Sequence, residues 1–220
     1  MTWRVAVGGD EVTAEHDASG SSVVFVCAHG AGGNMSDRGV LAVSRALSER
    51  GVDVVRFNFP YKEKRSGRPD PMPLLERTIE AVVARTRSEL QPRTLLIGGR
   101  SMGGRAASML AADGFACDGL LLLAYPLHPA GKHDQLRDAH LPKIGVPVLC
   151  LNGTRDALCR RDLMETVLER VAENWTMHWL DGADHSFHVL KSSGRTDAEV
   201  MAEIGETSRG WIERLATVAR

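Results

Sequence analysis

Long apolar runs are missing from this sequence. Val23 to Ala28 and Leu120 to Tyr125 are the longest, far short of the roughly 20 residues a membrane-spanning helix needs. They read instead as buried strands. The opening, Met-Thr-Trp-Arg-Val-Ala-Val-Gly-Gly-Asp, has no basic stretch followed by an apolar one, so no secretory signal is expected. An excess of one charge is also lacking. Lys and Arg number 27 against 28 Asp and Glu, a net charge of −1, and the two signs are interspersed, which argues against nucleic acid or an anionic membrane as a partner. Cysteine is sparse: Cys27, Cys117, Cys150 and Cys159 form no CxxC or zinc-finger spacing. Reduced thiols are expected, with a cytoplasmic location as the default. Neither an internal repeat nor a low-complexity tract is present.

What is there suits one globular domain, 1–220. The 43% hydrophobic and 25% charged fractions are too balanced for a disordered or fibrous chain. Short segments rich in Val, Leu and Ile recur at Val23–Ala28, Asp53–Asn58, Thr94–Gly98, Leu120–Tyr125, Val146–Asn152 and Trp175–Leu180. Between them, apolar residues spaced by three and four predict helices at about Gly39–Glu49, Leu74–Leu90, Gly103–Ala112, Arg161–Ala172 and Ala198–Val218. Parallel neighbours need a crossover helix, so this alternation predicts an α/β fold, a mostly parallel central sheet with helices on both faces. Residues 1–20 suit an edge hairpin, Trp3–Val7 and Val12–Glu15, turning at Gly8-Gly9-Asp10. Tyr61–Pro73 and Pro126–Gly145 show neither period, and such loops are candidate pocket walls.

Residues 94–110 read as an apolar strand, a Gly99-Arg-Ser-Met-Gly103 turn and a helix. That is the setting of a nucleophile elbow, with Ser101 on the turn and glycines admitting neighbouring backbone. The helix start offers the Met102 N–H to an oxyanion. A serine hydroxyl needs a base, and the base needs an orienting acid. Asp156, in Gly-Thr-Arg-Asp after one strand, and His185, in Asp-Gly-Ala-Asp-His-Ser-Phe after the next, supply them in the order serine, acid, histidine. Asp162 and His188 are the rivals for these two places. His29-Gly-Ala-Gly-Gly-Asn34, after the first core strand, resembles the His-Gly-Gly-Gly motif of esterases. The Ala31 N–H is the expected second oxyanion donor, with Gly32 the alternative. The run lacks the Gly-Lys-Ser/Thr ending of a P-loop and the dinucleotide spacing.

With these residues the chain resembles the α/β-hydrolase superfamily over residues 22 to 218, in particular its lid-poor, dienelactone-hydrolase-like members. Three segments narrow the resemblance: Gly98-Gly-Arg-Ser-Met-Gly-Gly-Arg-Ala, Tyr125-Pro-Leu-His-Pro and Leu136-Arg-Asp-Ala-His-Leu. They are similar to the group that includes the testis-expressed hydrolase-like proteins and a histone-acetyltransferase complex subunit. The resemblance implies an α/β-hydrolase fold and a Ser-Asp-His arrangement on Ser101, Asp156 and His185. Dienelactone hydrolases proper carry cysteine where this chain has Ser101.

Arg100 and Arg105 flank the serine and are weighed as attractors of an acidic acyl group against ordinary pairing with carboxylates. Tyr125 and His128 are possible pocket residues beside Ser101. His128, His133 and His140 match no compact metal-ligand spacing, so no metal is expected, and no cofactor is implied. The expected chemistry is acyl transfer to water from a small-molecule ester or thioester, at a site with little or no cap because no helical insertion precedes Val146. Lactonase, peptidase and acyltransferase chemistry would use the same machinery. The alternative is a non-catalytic scaffold on the same fold. Substrate identity and oligomeric state are not written in the sequence.

Overall fold

The central strand segments are apolar at nearly every position because both of their faces are covered. The computed structural model describes residues 1–171 and 173–218. In chain order the elements are β1 (Thr2–Val7), β2 (Asp10–Asp17), β3 (Val23–Ala28), α1 (Arg38–Ser48), β4 (Asp53–Phe57), α2 (Pro60–Glu63), α3 (Met72–Leu90) and β5 (Thr94–Arg100). There follow α4 (Met102–Ala112), β6 (Gly119–Leu123), β7 (Val148–Gly153), α5 (Arg161–Leu168), β8 (Trp175–Leu180) and α6 (Asp197–Val218). One eight-stranded sheet results, in the order β1-β2-β4-β3-β5-β6-β7-β8. β1 and β2 pair antiparallel, β2 runs antiparallel to β4, and every other pairing is parallel.

Alternate residues of the strands feed two separate cores. Leu121 and Leu123 of β6 pack with Val40, Val43 and Leu47 of α1 and Val200, Ile204 and Trp211 of α6. Leu120 and Leu122 pack with Ile79, Val82 and Val83 of α3, Ala106, Ala107 and Leu110 of α4, and Met164 and Val167 of α5. Side chains on a strand point to opposite faces by turns, so each strand contributes to both layers. The expected α/β fold is the one observed. Between β6 and β7 the chain makes a 3₁₀ turn at Leu141–Lys143 and no cap.

The element ends differ from expectation for local reasons. β7 starts at Val148 rather than Val146, since Pro147 has no N–H to give a sheet ladder. The helix expected to end at Ala172 stops at Leu168, and Ala172 lies outside the described residues. The segment 61–73, expected to be irregular, begins inside α2 and ends inside α3, prolines sitting in the first turn of each helix, where a missing N–H costs little. Also unforeseen is a buried polar clamp on the hairpin. Arg56 of β4 donates from Nε and Nη2 to Asp17 (2.5 and 2.9 Å), from Nη2 to Glu15 (2.9 Å) and from Nη1 to the Met35 carbonyl (2.5 Å).

Candidate active site

β5 lies at the centre of the sheet and leads straight into α4, so the residue between them is forced into a tight turn. That residue is Ser101, at φ 51°, ψ −116°, a conformation a non-glycine residue adopts only under restraint. The restraint is visible. Ser101 N–H donates to the Leu123 carbonyl (2.8 Å), and its own carbonyl accepts from Arg105 N–H (2.9 Å). A Cβ on Gly99 would lie 2.1 Å from the Ala28 carbonyl oxygen, and one on Gly103 2.6 Å from the Ala28 side chain and the His29 carbonyl oxygen. Both glycines are required by close approach of β3 to the turn.

The loops after β7 and β8 bring Asp156 and His185 to the same sheet edge. Ser101 Oγ donates to His185 Nε2 at 2.9 Å. On the other side of the ring, Nδ1–H donates to Asp156 Oδ2 at 2.8 Å and Oδ1 at 3.0 Å. The Asp156 side chain is fully buried while that of His185 is 25% exposed, so the base faces an open site and the acid does not. Asp156 is held in turn: Leu158 N–H donates to Oδ1 (2.8 Å) and Asn152 Nδ2 to Oδ2 (3.2 Å). The rivals stand elsewhere. Asp162 pairs with Arg160 on the surface, and His188 with Asp197.

The glycine-rich loop after β3 lies against the turn, with a Cβ on Gly30 reaching 3.5 Å from Ser101 Cβ. Its shape is set by its neighbours. His29 Nδ1–H donates to the Gly30 carbonyl (2.8 Å), Phe59 N–H donates to His29 Nε2 (3.2 Å), and Tyr61 Oη donates to the Ala31 carbonyl (2.8 Å). Burial pushes the His29 imidazole down to about 4, so it is neutral at pH 7, as that pair of bonds requires. Neither the Ala31 nor the Met102 N–H meets an acceptor among the described residues. Gly32 is exposed at the loop tip.

Two expected pocket residues are corrected. Tyr125 and His128 are fully buried and line no open space. Tyr125 Oη donates to the Arg137 carbonyl (2.6 Å). His128 Nδ1–H donates to the Pro129 carbonyl (3.0 Å), and Nε2 accepts from Arg160 N–H (3.1 Å). They brace the loops after β6 and β7, because a polar group buried there needs a partner. Arg100 lines a groove of about 840 Å³, but its walls are α1, α6 and the loop after β8, and Ser101 is not among them. Arg105 forms no ion pair within 4 Å among the described residues, and its Nε is buried without a partner. His133 stacks edge-on with His128 (4.8 Å between centroids), and His140 Nε2 bonds Ser108 Oγ (2.8 Å). Sequence reading missed Asn152. It accepts from Tyr125 N–H (3.0 Å) and donates to the Tyr125 carbonyl (3.0 Å) as well as to Asp156. An amide in an otherwise apolar strand was the available signal.

A mostly parallel sheet with helices on both faces, and a strained serine where the central strand meets its helix, define an α/β-hydrolase fold. The chain matches the family model described as Alpha/beta hydrolase domain over residues 21–213 and belongs to that family. Over 98 residues it is 36% identical to the uncharacterized protein YfhR of Escherichia coli O157:H7, covering 44% of this chain and 33% of that protein. The match thus takes in about a third of that relative's length. Among solved structures, an α/β serine hydrolase homologue from Coxiella burnetii superposes with a TM-score of 0.76 at 20% identity, over 94% of this chain and 96% of that one. A lid-less α/β serine hydrolase from Xanthomonas campestris gives 0.75 at 22% identity (96% and 94%). A dienelactone hydrolase from Anabaena variabilis gives 0.74 at 18% (97% and 96%). At these identities the likeness is one of fold. No helix among the described residues is long and apolar enough to cross a membrane.

Proposed function

We propose that this protein is a serine hydrolase that cleaves small esters or thioesters through Ser101, His185 and Asp156, by way of an acyl-enzyme. The observation that carries the reading is the unbroken hydrogen-bonded line from Ser101 Oγ through both nitrogens of His185 to the buried Asp156. In this reading Oγ attacks the acyl carbon while His185 Nε2 takes its proton. The negative charge on the carbonyl oxygen is met by the Ala31 and Met102 N–H groups. Nε2 then gives its proton to the departing oxygen or sulfur as that bond breaks. A water molecule attacks the ester on Ser101 with His185 again as base, and the proton returns to Oγ as the acid leaves. Asp156 keeps Nδ1 protonated and stabilises the imidazolium.

The substrate we propose is a small acyl compound, with neither nucleic acid nor membrane as partner, and the four free cysteines fit a reducing compartment such as the cytoplasm. Within the family we place the chain near the testis-expressed hydrolase-like group, on the three segments that resemble it. A fluorophosphonate probe tests the function. It should modify Ser101, located by peptide mass, and spare Ser101→Ala. Folded wild-type protein that stays unmodified and turns over no ester or thioester would favour a scaffold role.

A further inference from the structure

Arg100 is the last residue of β5, immediately before the proposed nucleophile, yet its side chain leaves on the α1 and α6 side of the sheet. It lies in the groove wall with Gly39, Ala42, Phe187 and Met201, a groove that Ser101 does not line. Room for it comes from α1, since a Cβ at Gly39 would stand 3.3 Å from Arg100 Nη1. No carboxylate comes within ion-pair distance of it among the described residues. Asp37, Asp156 and Asp184 act on it only from farther away, and burial pushes its guanidinium below the ordinary range. Holding a cation half-buried without a counter-ion costs free energy, so its contacts call for an explanation.

Those contacts are specific. Nη2 donates to the backbone carbonyl of His185 at 3.0 Å and to Ser186 Oγ at 3.2 Å. β5 and β8 are not neighbours, because β6 and β7 lie between them in the sheet. The loop's other bonds run within itself, to α6 and to the loop after β7: Asp184 Oδ1 accepts from the N–H groups of Ser186 and His188, Asp197 Oδ1 from Val189 N–H, the Ala183 carbonyl from Arg155 N–H, and Asp156 from His185 Nδ1–H. None of these ties His185 to the nucleophile's strand.

We propose that Arg100 is a positioning residue, a strut that fixes the main chain of His185 relative to β5 and so sets the reach of the base to Ser101; its catalytic consequence rests on the hydrolase reading above. The test compares Arg100→Met, Arg100→Lys and Ser186→Ala with wild type, the last leaving the bond to the His185 carbonyl in place. Two readouts are taken. The first is fluorophosphonate labelling rate together with kcat and KM on p-nitrophenyl acetate. A base displaced by a fraction of an ångström should lower labelling and kcat about 10- to 100-fold in Arg100→Met, with KM within about twofold. Lysine should recover part of the loss, and Ser186→Ala should stay near wild type. The second is amide hydrogen exchange of segment 184–190, which needs no activity. Exchange should quicken in Arg100→Met and not in Ser186→Ala.

Wild-type exchange and labelling in Arg100→Met overturn the proposal. If wild-type protein proves inert to every probe while Arg100→Met still loosens 184–190, the hydrolase reading fails and the strut stands. If activity is found but the exchange is unchanged, the strut fails and the hydrolase reading stands. Should Arg100→Met not fold, Arg100→Gln takes its place with the same expectations.

Discussion

Asn152 joins two loops through one amide group, and its removal has a calculable effect. Asn152→Ala leaves the Tyr125 N–H without a partner inside the protein and the Tyr125 carbonyl with the Leu127 N–H alone, which costs about 1 to 3 kcal/mol. It also removes one of the two donors to Asp156 Oδ2 and leaves only His185 Nδ1–H there, so a loss of kcat should accompany the loss of stability, read by urea unfolding and ester hydrolysis on the same sample. Asp156→Asn acts on chemistry and stability together: the amide favours the wrong histidine tautomer, so kcat should fall about 10⁴-fold, and its NH2 must face a donor, either Leu158 N–H or Asn152 Nδ2, at a cost of about 1 to 3 kcal/mol. His29 gives a pH signature. Its imidazole titrates near 6.5 in an unfolded chain but at about 4 when folded, so below pH 6.5 the unfolded state binds a proton that the folded state refuses. Stability is fully present above pH 6.5 and declines as pH falls toward 4. Between pH 7.5 and 5 this one group should remove about 2 kcal/mol, and His29→Gln should flatten that part of the profile. At this scale Ser101, Asp156 and His185 were legible from residue type and order along the chain. Tyr125 and His128 were misjudged because nearness in sequence to a loop says nothing of which way a side chain faces.

The turn from β5 to α4 is the element on which the site depends, and its glycines are not equivalent to others in the chain. Gly99 combines φ +135° with a Cβ position 2.1 Å from a carbonyl oxygen of β3, so Gly99→Ala must push two central strands apart. A loss of more than about 4 kcal/mol is expected, read as little folded protein on expression. Gly114, at φ +88° with open space around it, is the control, and Gly114→Ala should cost only about 1 to 2 kcal/mol. Strand and helix periods made these elements readable in advance, including the elbow itself. The Arg56 clamp was not readable, because Glu15 and Asp17 are brought to one guanidinium by the pairing of β2 with β4, and Met35 by the loop after β3, and not by spacing in the chain.

For the molecule as a whole, the connection from β6 to β7 matters most, since it adds braces and no cap. A long acyl chain would find no apolar roof, and each methylene left in water forgoes about 0.8 kcal/mol of binding. Across p-nitrophenyl esters from acetate to decanoate, kcat/KM should therefore stay flat or fall; a steep rise would mean a covered channel for the chain. On the proposed hydrolase reading, the sheet order has another consequence, for the moment at which the protein becomes dangerous to its surroundings. Ser101, Asp156 and His185 hang from β5, β7 and β8, and β8 is the outermost strand of its side. A chain growing from its N-terminus on the ribosome can close the elbow and still have no base. Competence would arrive only when the last strand docks, so unfinished or nicked chains should be harmless to the esters around them.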